Sequence, residues 1–183
     1  MIEKVEDICS SEQAVLLLAL SEHISEQLSD SEDFSVAREA LNACWDWLVD
    51  KKIDPDSLYW FLENLDDTGI LTVMQSEDDA RKLKVWICIA NAMVLILKEA
   101  YASQADEYLP ATIEAVDLRT VEEFFDNFQN VCEHSRIIVN KVLTYLMEID
   151  SDERINRAEI LELVGICDSK SSDKNEKKCY PSM

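Results

Sequence analysis

Glycine and proline are scarce in this chain, whose 183 residues include two glycines and three prolines. Tight turns between β-strands consume glycine, so this scarcity favours long helices over hairpins and sandwiches. Hydrophobic residues make up 48% of the chain, which is enough for a core and argues against general disorder. A chain of this length is expected to fold as one domain.

The chain also lacks the motifs that carry common catalytic chemistry. It has no His-Glu-x-x-His, no glycine-rich phosphate loop and no Gly-x-Ser-x-Gly elbow. Neither His23 nor His134 has a glutamate three residues before it, as helical di-metal sites require. We interpret carboxylate pairs such as Glu22/Glu26 as solvated faces of an acidic protein. The sequence therefore predicts no enzyme, no metal site and no cofactor.

The six cysteines include no Cys-x-x-Cys pair. Cys44, Cys88 and Cys132 lie among apolar residues, where a free cysteine behaves as a small hydrophobe. The first apolar run, residues 14–20, continues into polar residues with no small-residue cleavage site, so it does not resemble a signal peptide. We therefore expect a cytoplasmic protein with reduced thiols.

Acidic residues dominate the charge, with 38 of them against 17 basic residues and a formal net charge of −21. The last sixteen residues hold three acids and four lysines, so residues 1–167 carry −22. Such a field repels nucleic acid and anionic membranes and attracts basic partners. Solubility alone is the other explanation that the composition leaves open.

The longest apolar stretch spans residues 85–97, in which only Asn91 is polar. A helix that is apolar on every side must be enclosed on every side. We therefore predict a central helix over about residues 76–104, N-capped by Ser76. The apolar stretch spans only about 20 Å, which is shorter than a membrane crossing.

Apolar spacing and capping signals predict further helices around the central one, over about residues 11–29, 35–51 and 54–64. Leu65 is expected on the apolar face of the third helix, and Gly69, which follows that helix, is free to adopt a positive φ. Residues 70–74 are expected to form a brief apolar connector. A last helix is predicted over residues 156–164, ending at Gly165.

Residues 121–146 carry apolar side chains at alternating spacings of four and three, a heptad seam on one helix or on two that meet near His134. Coiled-coil dimerisation is one interpretation. We favour packing inside a single bundle, because further apolar residues widen the stripe, and so expect a monomer. The fold prediction is an all-α domain over residues 1–167, a bundle of about six helices, followed by a disordered polar tail over residues 168–183.

Trp45 and Trp47 flank the apolar stripe of the second predicted helix, about 200° apart around its axis. We favour the interpretation that both seal the edges of the core. The alternative is that Trp47 is exposed and anchors an interface, since tryptophan is a favoured anchor residue.

Spaced aromatic and acidic residues between positions 41 and 128 form a recognisable pattern: Trp45-Asp46-Trp47-Leu48, Leu58-Tyr59, Glu63-Asn64-Leu65-Asp66, Trp86, Tyr101, Pro110, Glu114 and Phe124-Phe125. This pattern resembles the sixth family of immunity proteins from bacterial polymorphic toxin systems. Members of that family are all-α cytoplasmic proteins that are carried beside secreted toxins. The resemblance implies that the chain binds and neutralises a cognate toxin, but it assigns no binding residues.

The acidic charge suggests how such a protein would act. Many toxins of these systems are nucleases with basic clefts, which an acidic inhibitor would approach by electrostatic steering and then block. The candidate partner-binding residues are Trp47, Glu63, Asp66, Asp67, Glu77, Asp78, Asp79, Asp106 and Glu107. The acids at positions 63–67 and 77–79 are expected at one end of the central helix, and those at 106 and 107 at the other.

Two other classes of function remain open at the level of the sequence. One is an acidic nucleic-acid mimic that inhibits DNA-binding proteins through carboxylates spaced like phosphates. The other is a regulatory or scaffold domain that dimerises through residues 121–146.

Truncation after Asp168 tests the tail prediction. We expect the melting temperature to stay nearly unchanged, because a lysine- and serine-rich end buries little apolar surface. Thermal unfolding followed by circular dichroism measures this. A loss of several degrees would instead mean that Cys179 and Tyr180 dock onto the body.

Overall fold

The computed structural model describes residues 5, 7–104, 109–149 and 155–166. Within these ranges the chain forms nine α-helices and no β-strand, which confirms the all-α prediction. The helices are α1 (Ser10–Ser25), α2 (Phe34–Asp50), α3 (Pro55–Leu62), α4 (Ile70–Ser76), α5 (Ala80–Ser103), α6 (Ala111–Glu114), α7 (Leu118–Val131), α8 (Ser135–Glu148) and α9 (Arg157–Leu163). A short 3₁₀ helix, Glu26–Leu28, follows α1. The predicted tail lies outside the described residues.

Helix α5 is the central helix, and α1, α2, α3, α4, α6 and α7 all pack against it. Between residues 85 and 97 every side chain except Ile87 is buried. By length and composition alone α5 could cross a membrane, but 78% of its most apolar window is buried inside the protein, as in a core helix. The cap is Asp79 rather than Ser76: its carboxylate accepts hydrogen bonds from the backbone N–H groups of Arg81 (2.7 Å) and Lys82 (3.0 Å).

Helix α1 is a second helix whose central residues are enclosed. Residues 14–22 are buried without interruption, so the helix packs on all sides. It lies along α5, and α8 and α9 cover it from other directions. The Ser21 hydroxyl donates to the Cys88 carbonyl of α5 (3.3 Å), which satisfies one polar group inside this contact.

The heptad seam is divided between two helices. Helix α7 ends at Val131, Cys132 adopts an extended conformation, and α8 begins at Ser135. Helix α7 packs on α5, whereas α8 packs on α1, so the seam residues are buried within one chain. This arrangement agrees with packing inside a single bundle.

The segment between α3 and α5 differs from the prediction. Residues 70–76 form the helix α4 and not a connector. Gly69 has a φ of −75°, and Asp67 adopts the positive φ (56°) at this turn. Glycine is required at position 69 for close approach, because a Cβ there would lie 2.6 Å from the Leu62 carbonyl oxygen. Gly165, by contrast, has the positive φ (84°) expected after the last helix.

A buried carboxylate joins α1, α2 and α9. Glu22 of α1 is 1% exposed and pairs with Arg38 of α2 and Arg157 of α9. Its Oε1 accepts from Trp45 Nε1 (3.0 Å) and from Arg157 Nη2 (3.2 Å), and Arg157 also donates to Asn42 (2.6 Å). The prediction of a solvated Glu22/Glu26 pair is therefore wrong for Glu22, since α2 and α9 pack over it.

Replacement of Glu22 by glutamine tests this network. The amide would place N–H groups against the donors of Trp45, Arg38 or Arg157, so we expect a loss of about 3 kcal/mol in the free energy of unfolding. Urea unfolding measures it. The control is Glu26→Gln, one turn away and exposed, which should change stability by less than about 0.5 kcal/mol. Equal effects for the two variants would contradict a stabilising role for the network.

Candidate partner-binding surface

Trp47 is buried and cannot serve as an exposed anchor. Its side chain is 2% exposed, and the Lys51 ammonium covers the ring at 3.4 Å from the centroid. Trp45 is fully buried against Glu22. Both rings therefore belong to the core, as the favoured interpretation predicted. The alternative of an exposed Trp47 is wrong, because the C-terminal part of α2 packs into the bundle.

Two of the three candidate acids before α5 have structural roles. Glu77 accepts from Trp86 Nε1 (3.2 Å) and from the backbone N–H of Asp79 (2.9 Å). Asp79 caps α5, and the N–H groups of Lys82 and Arg81 hold the pKa of its carboxyl below the usual value. Asp78 is exposed, and its carboxylate is therefore the one available to a partner.

Glu63, Asp66 and Asp67 lie on the exposed loop between α3 and α4. The Glu63 carboxylate accepts from the Tyr59 hydroxyl and lies 3.5 Å from Thr112 Oγ1 of α6. Helix α6 stands beside the C-terminal half of α5, where Lys98 donates to the Val116 carbonyl (2.7 Å).

The two acidic groups therefore do not share one end of the central helix. Glu77 bonds to Trp86, which precedes Lys98 by about 18 Å along α5. Helix α4 separates the groups, with the first before it and the second after it. Asp106 and Glu107 lie outside the described residues.

The segment that contains these acids carries only negatively charged side chains. Residues 53–80 include eight acids and no lysine, arginine or histidine, and we call the surface of this segment the acidic face. Across the described residues, ion pairs engage only three carboxylates, those of Glu22, Asp30 and Asp50, and none of these belongs to the acidic face. No carboxylate of the acidic face therefore takes part in an ion pair, although the charges of Lys82 and Arg81 act on Asp79 at its C-terminal end.

Some of its acids still have hydrogen bonds that position the segment. Asp54 caps α3 by accepting from the Ser57 N–H (3.0 Å). Asp56 accepts from the Tyr101 hydroxyl (2.7 Å), which ties α3 to the C-terminal half of α5. Burial, together with this hydrogen bond, raises the pKa of Tyr101, so the phenol stays protonated.

A groove lies along one side of α5. Its volume is about 310 Å³, and α4, α5, α6 and α7 supply its walls. Most lining side chains are apolar, but Asn91 Nδ2 donates to the Glu123 carboxylate across it (3.2 Å). The single polar residue of the central apolar run therefore lines this groove, and only 8% of it is exposed.

Sequence reasoning missed two exposed apolar residues of the acidic face. Trp60 is 48% exposed and Leu65 is 95% exposed. Leu65 was predicted to lie on the apolar face of the third helix, but α3 ends at Leu62 and the helical register stops there. The polar cluster that begins at Asn64 was the signal for this earlier end, since asparagine, aspartate and threonine favour turns.

The described residues offer no group of three or more His, Cys, Asp or Glu side chains that could hold a metal ion. Cys44 and Cys88 are buried free thiols. Burial raises the pKa of both thiols, so they remain protonated and pack as small hydrophobes.

The described residues thus form an all-α bundle with an acidic face. A family model described as Immunity protein Imm6 matches residues 12–131, which extend from α1 to the end of α7. The chain therefore belongs to the Imm6 family of immunity proteins, as the resemblance indicated, and the family implies protection against a bacterial toxin. Neither a search of curated proteins nor a search of solved structures finds a match.

Replacement of Asn91 by leucine tests whether this groove is solvated. Because Glu123 is exposed, its carboxylate can accept a hydrogen bond from water in place of the one from Asn91. We therefore expect the free energy of unfolding to change by less than about 1 kcal/mol. The neighbouring Ala92→Leu is the control, since Ala92 is fully buried and overpacking should cost about 1–3 kcal/mol. Chemical denaturation distinguishes them. A similar loss for both variants would show that Asn91 is enclosed.

Proposed function

We propose that this immunity protein binds a cationic toxin domain one to one in the bacterial cytoplasm and occludes a basic, nuclease-like site with its acidic face. The run of eight acids without a base over residues 53–80 is the observation that carries the proposal. A nuclease must hold phosphates, so its cleft is basic and complementary to such a surface. Occlusion needs no catalytic group on the inhibitor.

On this surface most of the acids are exposed, whereas nearby bases make contacts within the fold, and this arrangement suits fast association with a basic partner. The basic residues nearest to the acidic face in sequence are used within the fold: Lys52 pairs with Asp50, and Arg81 donates to Gln27 and to the Val131 carbonyl. The exposed acids at positions 66, 67 and 78 have no base within residues 53–80, so they project a negative field. A field of this kind accelerates encounter with a partner of opposite charge and excludes like-charged partners.

The other classes of function have less support. The heptad seam that suggested a scaffold is buried by α1 and α5, which removes the proposed dimer interface. A nucleic-acid mimic would also be acidic, but it would bind many basic proteins, whereas an immunity protein neutralises its cognate toxin. Family membership favours neutralisation of a cognate toxin over binding to many basic proteins.

Association kinetics test the electrostatic part. Raising salt from about 0.05 to 0.5 M shortens the Debye length from roughly 14 to 4 Å, so association with the toxin domain encoded beside this chain should slow well over tenfold. Charge reversal of Asp66, Asp67 and Asp78 together should slow it at low salt and weaken the salt dependence. Stopped-flow fluorescence measures both rates.

The matched control reverses three exposed acids outside the acidic face: Glu39, Glu133 and Glu148. Equal slowing by both triple variants would contradict a role for the acidic face and would leave only the net charge. An association rate that is indifferent to salt would refute steering. Failure of the wild-type chain to protect cells from that toxin would refute the immunity function for this pair.

A further inference from the structure

Trp60 and Leu65 are set apart from the other exposed apolar side chains of the described residues. Four further large apolar residues are exposed at positions scattered over α2, α7 and α8: Val49, Leu118, Ile137 and Met147. Trp60 and Leu65 lie only five residues apart, at the end of α3 and on the loop that follows it. Scattered exposed apolar residues are normal on a soluble protein, whereas a close pair within one segment is a candidate contact site.

The loop that carries Leu65 is fixed by the side chain of Asn64. Asn64 Oδ1 accepts from the backbone N–H groups of Asp66 and Thr68 and from the Thr68 hydroxyl, at 3.1, 3.1 and 3.2 Å. Its Nδ2 donates to the Trp60 carbonyl (2.9 Å), which ties the loop to the last turn of α3. Leu65 is therefore presented outward on an ordered backbone, and binding would lose little loop entropy.

Trp60 provides the second apolar contact. Its half-exposed ring stands beside a shallow surface depression that Asp56, Ser57 and Phe61 also line. Tryptophan is enriched among the residues that dominate binding energy, because a rigid ring covers a large area at small entropic cost.

The charges around this pair define the partner. Asp56, Glu63, Asp66 and Asp67 surround it in sequence, and residues 53–80 supply no positive charge. We propose that Trp60 and Leu65 are the apolar anchors of the toxin interface, and that they insert into an apolar socket with a basic rim on a cationic toxin domain. This inference rests on the proposed function and specifies which side chains hold the complex together.

The two parts of the surface then act on different rate constants. Exposed acids at the rim accelerate association, as the salt dependence reports. In the complex, apolar anchors at the centre of the interface are shielded from water by the residues around them, and they slow dissociation. The cleft between α8 and α9 is a weaker alternative, because it lies beyond residue 131, where the family match ends, and because its lining includes a base, Lys141.

Truncation of each anchor tests the inference in the full chain, with the catalytically inactivated toxin domain encoded beside it as the probe. We expect Trp60→Ala and Leu65→Ala each to speed dissociation by about 30-fold, with association changed less than threefold, as for other central interface anchors. Leu65→Ala is the cleaner variant, because a side chain that is 95% exposed contributes almost nothing to folding. Surface plasmon resonance separates the two rates.

The matched controls are Leu118→Ala and Met147→Ala, which remove apolar side chains that are 59% and 64% exposed outside the acidic face. They should change dissociation less than twofold. Asn64→Ala keeps both anchors but frees the loop, so it should also speed dissociation, by about tenfold. Wild-type dissociation rates in Trp60→Ala and Leu65→Ala would overturn the inference.

Fluorine NMR gives an independent readout. Of the four tryptophans in the chain, Trp60 is the only one with an exposed ring. With 5-fluorotryptophan incorporated in this chain alone, the resonance that Trp60→Phe removes should lose its solvent isotope shift when the toxin domain binds. A resonance that stays solvent-sensitive in the complex would overturn the role of Trp60.

The proposed function and the role of the two anchors can be refuted separately. If the wild-type chain neither binds nor protects against the toxin domain, the proposed function fails. If it binds with salt-dependent association but the anchor variants dissociate normally, only the further inference fails. Slowed association in the anchor variants, with normal dissociation, would assign the patch to the rim and also overturn it.

Discussion

The enclosure of α5 is the constraint on which the rest of this structure depends. Between residues 85 and 97 the helix has no polar face, so water must be excluded around almost its whole circumference. Helix α1, which is apolar in the same way, covers one side, and α2, α3, α4, α6 and α7 cover the others. The short helices α3, α4 and α6 complete that cover. Helices α3 and α4 belong to the acidic face, and α4 and α6 contribute walls of the groove.

A second constraint is the polar network around Glu22, which joins α1, α2 and α9. Glu22 is removed from water but is matched by Arg38, Arg157 and the indole of Trp45, so three helices must meet at one point. A buried ion network of this kind adds little net stability over an apolar core, yet it penalises every alternative packing that leaves a charge unpaired. The buried Arg157 Nε–H has no hydrogen-bond partner among the described residues, which shows that the match is not complete.

The same segment that closes the core also carries the surface that we propose for recognition. Asp54 starts α3, Asp79 starts α5, and the turn organised by Asn64 joins α3 to α4. Side chains that are not needed for these tasks remain exposed, including the carboxylates of Asp66, Asp67 and Asp78 and the apolar groups of Trp60 and Leu65. In the proposed complex the toxin contacts the helices that cover α5, where local hydrogen bonds hold the backbone in place.

The sequence by itself determined the features that depend on neighbouring residues: the all-α class, the enclosed helix α5, the Asp54-Pro55 helix start and the end at Gly165. Helical periodicity, capping and turn chemistry act over a few residues, so they can be recognised without the fold. Only the tertiary structure decided that Glu22 and Trp47 are buried. Burial depends on which helix lies opposite a residue, and that helix can be more than a hundred positions away, as Arg157 is from Glu22.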